Sequence, residues 1–272
     1  GSADRRGPVQ GNIMISTMRR LARALALPVA LALLAGLPMG AQAHDGAPDP
    51  IAATEGGSRV YAVSAGYTYS CALKANGAVA CWGLAPFLGT EAQRAGPFVS
   101  VSAGSATHTC GLKADGTVGC WGGNGNGQSS PPAGQFLSVS AGEYHSCGLR
   151  TDGSVACWGN SANGRLGTEA ERAGPFVSVS AGQYQTCAVR TNGNAFCWGA
   201  IGEDVGQATA PAGTFLSVSA AYNHSCGLKS DGSIACWGRN TFGQSTVPAG
   251  SYLSVAAGGF RSCGLKSDRS LA

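Results

Sequence analysis

Apolar and small polar residues alternate along short stretches of the chain from about residue 58 onward. In Phe136–Gly142 this alternation predicts a β-strand, because successive side chains of a strand point to opposite faces. Leu137, Val139 and Ala141 are expected on one face of that strand, and the serines and Phe136 on the other. Similar stretches begin near Tyr61, Phe98, Phe176, Phe215 and Tyr252.

A hairpin pattern follows each of these strands, as in the sequence SCGLRTDGSVACWG of Ser146–Gly159. Its Asp-Gly pair is a strong turn signal between two apolar runs. A three-residue loop, 151–153, with the glycine in the left-handed conformation, pairs the flanking strands in one register. That register places Leu149 opposite Val155 and Cys147 opposite Cys157, close enough for a disulfide.

The strand and hairpin recur with a period of 37 to 40 residues, which predicts a β-propeller with one blade per repeat. Five repeats are complete, and a partial sixth stops at Ala272, so a C-terminal truncation is one interpretation. A β-helix is the competing all-β architecture, although its coils are usually shorter. One face of each hairpin carries Cys, Leu or Val and the other carries Gly or Ala, with Phe196 as the one exception, so neighbouring blades are expected to approach closely.

The N-terminal segment predicts export. A basic start at Met18–Arg20, an apolar run and the small residues Ala41–Ala43 are typical of a secretory signal peptide cleaved after Ala43. The expected organisation is an upstream segment (1–17), a signal peptide (18–43), a flexible leader (44–57) and the repeat domain (58–272). The chain is then secreted or periplasmic, with no membrane insertion after cleavage.

The charge balance argues against nucleic acid as a partner. The first 43 residues hold five arginines and one aspartate, so the remainder carries 13 basic and 13 acidic side chains. A neutral domain lacks the basic patch that attracts phosphates.

The cysteines are expected to form five disulfides in an exported protein. Zinc is the alternative, but each hairpin lacks a second pair of ligands. The predicted pairs are Cys71–Cys81, Cys110–Cys120, Cys147–Cys157, Cys187–Cys197 and Cys226–Cys236, and they leave Cys263 unpaired.

Neither a metal site nor a cofactor is predicted. His108, His145 and His224 precede their cysteines by two positions, where other repeats have Tyr69, Gln185 or Arg261, so we expect structural hydrogen bonds there. The aspartates of the hairpin turns alternate with asparagine, and no catalytic set or phosphate-binding loop is present. The sequence therefore does not predict an enzyme.

The motifs SVSAG, His-Ser-Cys-Gly-Leu-Lys, Asp-Gly, Cys-Trp-Gly and Gly-Gln resemble the regulator of chromosome condensation repeat family from about Ser58 to the end. That resemblance implies a propeller, typically of seven blades, and this chain is then interpreted as a truncated seven-bladed ring. The compact repeat and the linker Gly243–Gly250 are also similar to the secreted type II β-lactamase inhibitor proteins. Cysteine pairs are not general in the repeat family, so they set this chain apart from it.

The residues that do not repeat are the predicted binding site for another protein. They lie between the first strand and the hairpin, in loops that emerge on one face of a propeller. Tyrosine suits such a role because it offers a large contact area and a polar tip, although these rings could simply cover the blade edges. The candidates are Tyr67, Tyr69, Glu143, Tyr144, Tyr184, Tyr222 and Phe260.

Three functions are therefore considered. The first is a protein-binding module, in one version an inhibitor of an extracytoplasmic hydrolase such as a β-lactamase. The second is an enzyme acting on cell-wall or other polymers, against which the missing acid pair counts. The third, implied by the family resemblance, is chromatin binding and guanine nucleotide exchange, against which export and the neutral charge argue.

Overall fold

A computed structural model describes residues 60–105 and 107–272 of the chain. The predicted upstream segment, signal peptide and leader (1–17, 18–43 and 44–57) lie outside the described residues. The helices of the described part are single turns, and none of them could cross a membrane.

Short strands dominate the described residues. The strands are β1 Val60–Ala65, β2 Tyr69–Lys74, β3 Val79–Gly83, β4 Phe98–Ala103, β5 His108–Lys113, β6 Val118–Gly122, β7 Phe136–Ala141, β8 His145–Arg150, β9 Val155–Gly159, β10 Phe176–Ala181, β11 Gln185–Arg190, β12 Ala195–Gly199, β13 Phe215–Ala220, β14 His224–Lys229, β15 Ile234–Gly238, β16 Tyr252–Ala257 and β17 Ser262–Lys266. The linkers hold the α-helices α1 Glu91–Arg94 and α2 Glu169–Arg172 and the 3-10 turns Ala85–Phe87 and Ala162–Gly164.

Consecutive strands pair antiparallel into separate small sheets, the blades. Blade 1 is β1–β3, blade 2 is β4–β6, blade 3 is β7–β9, blade 4 is β10–β12 and blade 5 is β13–β15. Blade 6 has two strands, β16 and β17. The prediction of five full blades and a partial sixth is confirmed.

The hairpin register is the predicted one. Leu149 pairs with Val155 and Cys147 with Cys157, and Gly153 takes a φ of 83° in the turn. All five predicted cysteine pairs are disulfides, with Cα atoms 4.0–4.1 Å apart. Cys263 is free and exposed. The Asp152 carboxylate accepts hydrogen bonds from the backbone N–H and the hydroxyl of Ser154, which confirms its role as a turn residue.

The predicted faces of the first strand of blade 3 are wrong at two positions, Phe136 and Leu137. The pairing of β7 with β8 skips Leu137, because a bulge lies between Phe136 and Ser138. The bulge turns Leu137 outward, where it is 45% exposed, and brings Phe136 into the core with Val139 and Ala141. The same irregularity occurs in the other five blades.

Adjacent blades share a hydrophobic core. Cys110 and Leu112 of blade 2 pack against Phe136, Val139 and Trp158 of blade 3. Ala141 and Ala156 of blade 3 belong to the same core, so this face combines large rings with small residues and is not the purely small-residue face that was expected. The small residues also make room within their own blade: a Cβ on Gly148 would lie 2.5 Å from Cδ1 of Phe136.

In blades 1 to 5, the residue two positions before the first cysteine ties its blade to the next one. Nε2 of His108, His145 and His224 is hydrogen-bonded to a hydroxyl oxygen of the following blade at 2.7, 2.8 and 2.9 Å. The three rings are fully buried. Gln185, at the same position, donates to Oγ of Ser225 at 3.3 Å. The predicted structural role of these histidines is confirmed.

The backbone conformation requires the glycine of the Trp-Gly motif. Gly159 takes a φ of 106°, and a Cβ there would lie 2.8 Å from the Tyr144 carbonyl oxygen and 2.9 Å from the His145 Cα atom.

We therefore expect Gly159→Ala to lower the free energy of unfolding by about 2–4 kcal/mol, from strain and overpacking. Gly125 is the matched control, because a Cβ there meets nothing within 4 Å. Chemical denaturation of both variants tests this, and equal stabilities would contradict it.

Candidate functional site

The loops between the first and second strands of blades 3 to 6 bring aromatic rings together. Tyr184 and Tyr222 lie edge to face with centroids 6.2 Å apart, and Tyr222 is 5.6 Å from Phe260. Phe260 is in turn 5.7 Å from Phe242, a residue of the linker before blade 6. The outer two rings are the most exposed, Phe260 at 52% and Phe242 at 69%.

Arg165 extends this line of rings toward blade 3. Its guanidinium carbon lies 5.8 Å from the Tyr144 ring centroid and 5.6 Å from that of Tyr184. Cation–π attraction at this distance stabilises the arrangement. The aromatic row is therefore defined as Tyr144, Tyr184, Tyr222, Phe242 and Phe260.

Two residues of this site, Arg165 and Phe242, were not predicted from the sequence. Arg165 occupies the linker position where Gln128, Gln207 and Gln244 stand in other repeats, so its departure from that pattern was an available signal. Phe242 precedes the Gly-Gln motif of the last linker and had no such signal. Its role depends on the contact with Phe260.

Glu143 lies at the base of the aromatic row and is buried. Burial raises the pKa of its carboxyl group, while Tyr144, Arg165 and Gln183 oppose that rise. A hydrogen bond to Glu143 is the largest cause that raises the pKa of Tyr144 to about 12, followed by burial. Glu143 therefore holds the tyrosine hydroxyl in place rather than facing solvent.

The prediction that Tyr69 belongs to the exposed binding site is wrong. Its side chain is only 3% exposed, because it occupies the first position of β2 and points into the interface with blade 2. Its hydroxyl donates to the carbonyl oxygens of Gly104 at 3.1 Å and His108, and accepts from Thr109. Burial raises the pKa of Tyr69 to about 12. Tyr69 is therefore a counterpart of the buried histidines and is not available to a partner.

Tyr67 is the most exposed tyrosine of the predicted set, at 82%. Its backbone N–H donates to the Ser105 carbonyl oxygen at 2.9 Å, which fixes the loop against blade 2. No ring contact joins it to the aromatic row among the described residues. The structure thus brings together Tyr144, Tyr184, Tyr222 and Phe260, and leaves Tyr67 apart.

Groups of three or more His, Cys, Asp or Glu side chains that could hold a metal ion are absent from residues 60–105 and 107–272. The ten hairpin cysteines form disulfides, so their thiolates are not available as zinc ligands and the alternative of zinc binding does not hold for those five pairs.

Comparison with known proteins identifies the repeat. The sequence profile of the Regulator of chromosome condensation (RCC1) repeat matches residues 98–128, 136–165, 176–207 and 215–244, which lie in blades 2 to 5 and their linkers. A search among curated proteins gave no match.

Solved structures share the fold. The CRINKLY WD40 ectodomain of the Arabidopsis thaliana receptor kinase ACR4 is 26% identical, with a TM-score of 0.67 over 79% of this chain and 78% of that one. The ectodomain of the Physcomitrella patens receptor kinase CR4 is 29% identical, with a TM-score of 0.66 over 80% of this chain. The match spans 61% of that ectodomain, so this chain corresponds to part of it.

A third similar structure is yeast RCC1 (Prp20), solved with Kap60. It is 16% identical, with a TM-score of 0.63 over 77% of this chain and 68% of that one, and it supports the fold alone. Blades 2 to 5 are therefore regulator of chromosome condensation repeats, and the described part of the chain has the fold of a β-propeller, as the motifs of the sequence indicate.

Proposed function

We propose that this chain is an exported protein-binding module whose contact surface is the aromatic row. The observation that carries the proposal is the continuity of ring contacts from Tyr184 through Tyr222 and Phe260 to Phe242. Aromatic side chains supply most of the binding energy at many protein interfaces, because they bury a large area at little cost in entropy. Arg165 braces the buried end of the row.

Two further observations support a location outside the reducing cytosol. Disulfides persist in oxidising compartments, and five of them occur here. The domain is also similar to receptor ectodomains. A signal peptide at 18–43, cleaved after Ala43, would deliver the chain to such a compartment. The hydrolase-inhibitor and polymer-active enzyme hypotheses stay predictions.

Site-specific cross-linking tests the proposed surface. A photoreactive phenylalanine analogue at Phe260 is expected to cross-link to a partner in the extracytoplasmic fraction of the host. The same analogue at Leu216, an exposed residue of β13, serves as the matched control and is expected to cross-link at background level. Equal yields from the two positions would argue against the aromatic row.

Affinity for the captured partner gives the second readout. Phe260→Ala and Tyr222→Ala are each expected to weaken binding about 30-fold or more, the usual effect of a hot-spot residue. Leu216→Ala should stay within twofold of the parent. Unchanged melting temperatures would show that the loss arises at the surface, and unchanged affinities would contradict the proposal.

A further inference from the structure

Three buried polar atoms without a hydrogen-bond partner lie beneath the aromatic row. They are Oε2 of Glu143, Nη1 of Arg165 and Oε1 of Gln183. Their side chains are 7%, 3% and 4% exposed. Buried polar groups are nearly always paired, so each unpaired atom calls for an explanation. These three side chains form the polar cluster.

The polar cluster differs from the other unpaired atoms of the described residues. Most of those recur at equivalent positions, such as Oγ of Ser100, Ser138 and Ser178, and Nδ1 of the three buried histidines. They are therefore properties of the repeat. Arg165, by contrast, replaces the glutamine of other linkers, and Glu143 stands where other blades have Tyr67, Ser105, Tyr222 or Gly259. The polar cluster thus belongs to one interface, between blades 3 and 4.

The Arg165 guanidinium is held so that only one nitrogen is free. Its Nε donates to the Ala162 carbonyl oxygen at 2.8 Å and its Nη2 to Asn163 Oδ1 at 2.7 Å. Asn163 is itself fixed, with a φ of 59° and a hydrogen bond from its side-chain amide to the Ile201 carbonyl oxygen. The Tyr144 and Tyr184 rings flank the guanidinium. Nη1 is therefore a prepositioned donor.

The Glu143 and Gln183 side chains are hydrogen-bonded to each other, and each keeps one unpaired oxygen as a matching acceptor. They occupy the same position in consecutive blades, and the Glu143 backbone N–H donates to the Gly182 carbonyl oxygen at 3.2 Å, next to Gln183. The cluster therefore offers one donor, on Arg165, and two acceptor oxygens. A carboxylate ligand would satisfy Arg165 and be repelled by both acceptors. A primary carboxamide has one acceptor oxygen and two N–H donors, which complements all three atoms.

We propose that the polar cluster is an anchor site for the carboxamide of an Asn or Gln side chain of the partner protein. The carboxamide oxygen accepts from Arg165 Nη1, and its two N–H groups donate to Glu143 Oε2 and Gln183 Oε1. The three atoms are closed to solvent, and Glu143 holds the Tyr144 hydroxyl, so the ligand enters as the half-buried Tyr184 ring turns aside. This inference rests on the proposed function and names the chemical group that its surface selects.

The test uses small probes on the oxidised protein and needs no partner. Propanamide is expected to shift the ring resonances of Tyr144 and Tyr184 in a saturable NMR titration. N-methylacetamide, with one N–H, should bind more weakly, and acetate should not bind. No saturable binding, binding of acetate as tight as that of propanamide, or tighter binding of N-acetylglucosamine would overturn the proposal. A crystal soak that shows only ordered water on the three atoms would do so as well.

Arg165→Gln is the decisive variant, because it restores the residue that three other linkers carry and should fold normally. We expect it to weaken propanamide binding about tenfold to a hundredfold, the effect of losing a hydrogen bond to a charged group. Gln128→Asn, in another linker, is the control and should leave binding unchanged. Retained binding in Arg165→Gln would refute the site. Cross-linking at Phe260 is measured separately, so failure of the anchor site and failure of the proposed surface are distinguishable.

Discussion

Refolding in excess reductant is expected to yield no folded blades. Each disulfide closes a loop with a sequence separation of 10, and a loop of that length stabilises the folded chain by about 2–3 kcal/mol in the chain-entropy treatment. Five of them together contribute roughly 10–15 kcal/mol, as much as the whole free energy of unfolding of a typical domain. Circular dichroism of the reduced and the oxidised chain measures the difference.

The free cysteine provides a matched control for this prediction. Cys263 is exposed and unpaired, so Cys263→Ser should leave the melting temperature of the oxidised protein unchanged. Replacement of Cys147 and Cys157 together by alanine should lower the free energy of unfolding by at least the amount for one loop. A reduced chain that kept the oxidised melting temperature, with complete reduction verified by mass spectrometry, would contradict the expected role of the disulfides.

Acidification from pH 6.5 to pH 4 is expected to destabilise the oxidised protein. Burial lowers the pKa of His108 and His224 to about 4 and that of His145 to about 3, from an ordinary value of 6.5. Between these values the unfolded chain binds more protons than the folded chain. Stability is therefore complete above pH 6.5 and falls as the pH drops, by about 3 kcal/mol at pH 4 for each of His108 and His145.

The chain itself supplies the control, because Gln185 occupies the histidine position in blade 4 and keeps the inter-blade hydrogen bond. A triple variant, H108Q, H145Q and H224Q, should lose most of the pH dependence in this window. Glu143 acts in the opposite direction through its raised pKa, and it is unchanged in the variant. Urea denaturation across the pH range measures both proteins. An equal loss of stability in the triple variant would show that other groups cause the acid effect.

Local chemistry made much of the fold predictable. The turn pairs, the alternation and the fixed spacing of the cysteines specify hairpins, and hairpin register depends on the turn and its immediate neighbours. For the same reason Cys147 and Cys157 could be paired, and His108, His145 and His224 assigned a structural role. The repeat period then predicted the blades, because each blade buries its faces only against the next one.

Contacts between strands and between blades determined which side chains are buried, which are exposed and which meet at the site. Tyr69 and Tyr67 are near neighbours in sequence, yet one is buried against blade 2 and the other is exposed. The bulge that turns Leu137 outward depends on pairing with β8, which the alternation alone does not reveal. Arg165, Glu143 and Gln183 come from separate loops and meet only when blades 3 and 4 pack.

The repeated residues of the sequence thus determined the hairpins, the disulfides and the number of blades, because these depend on pairing between strands that are close in sequence. Packing of one blade on the next selected which of the non-repeated side chains face solvent, which form the aromatic row and which are buried beneath it. That choice depends on residues about 40 positions apart, whose proximity arises only in the folded chain.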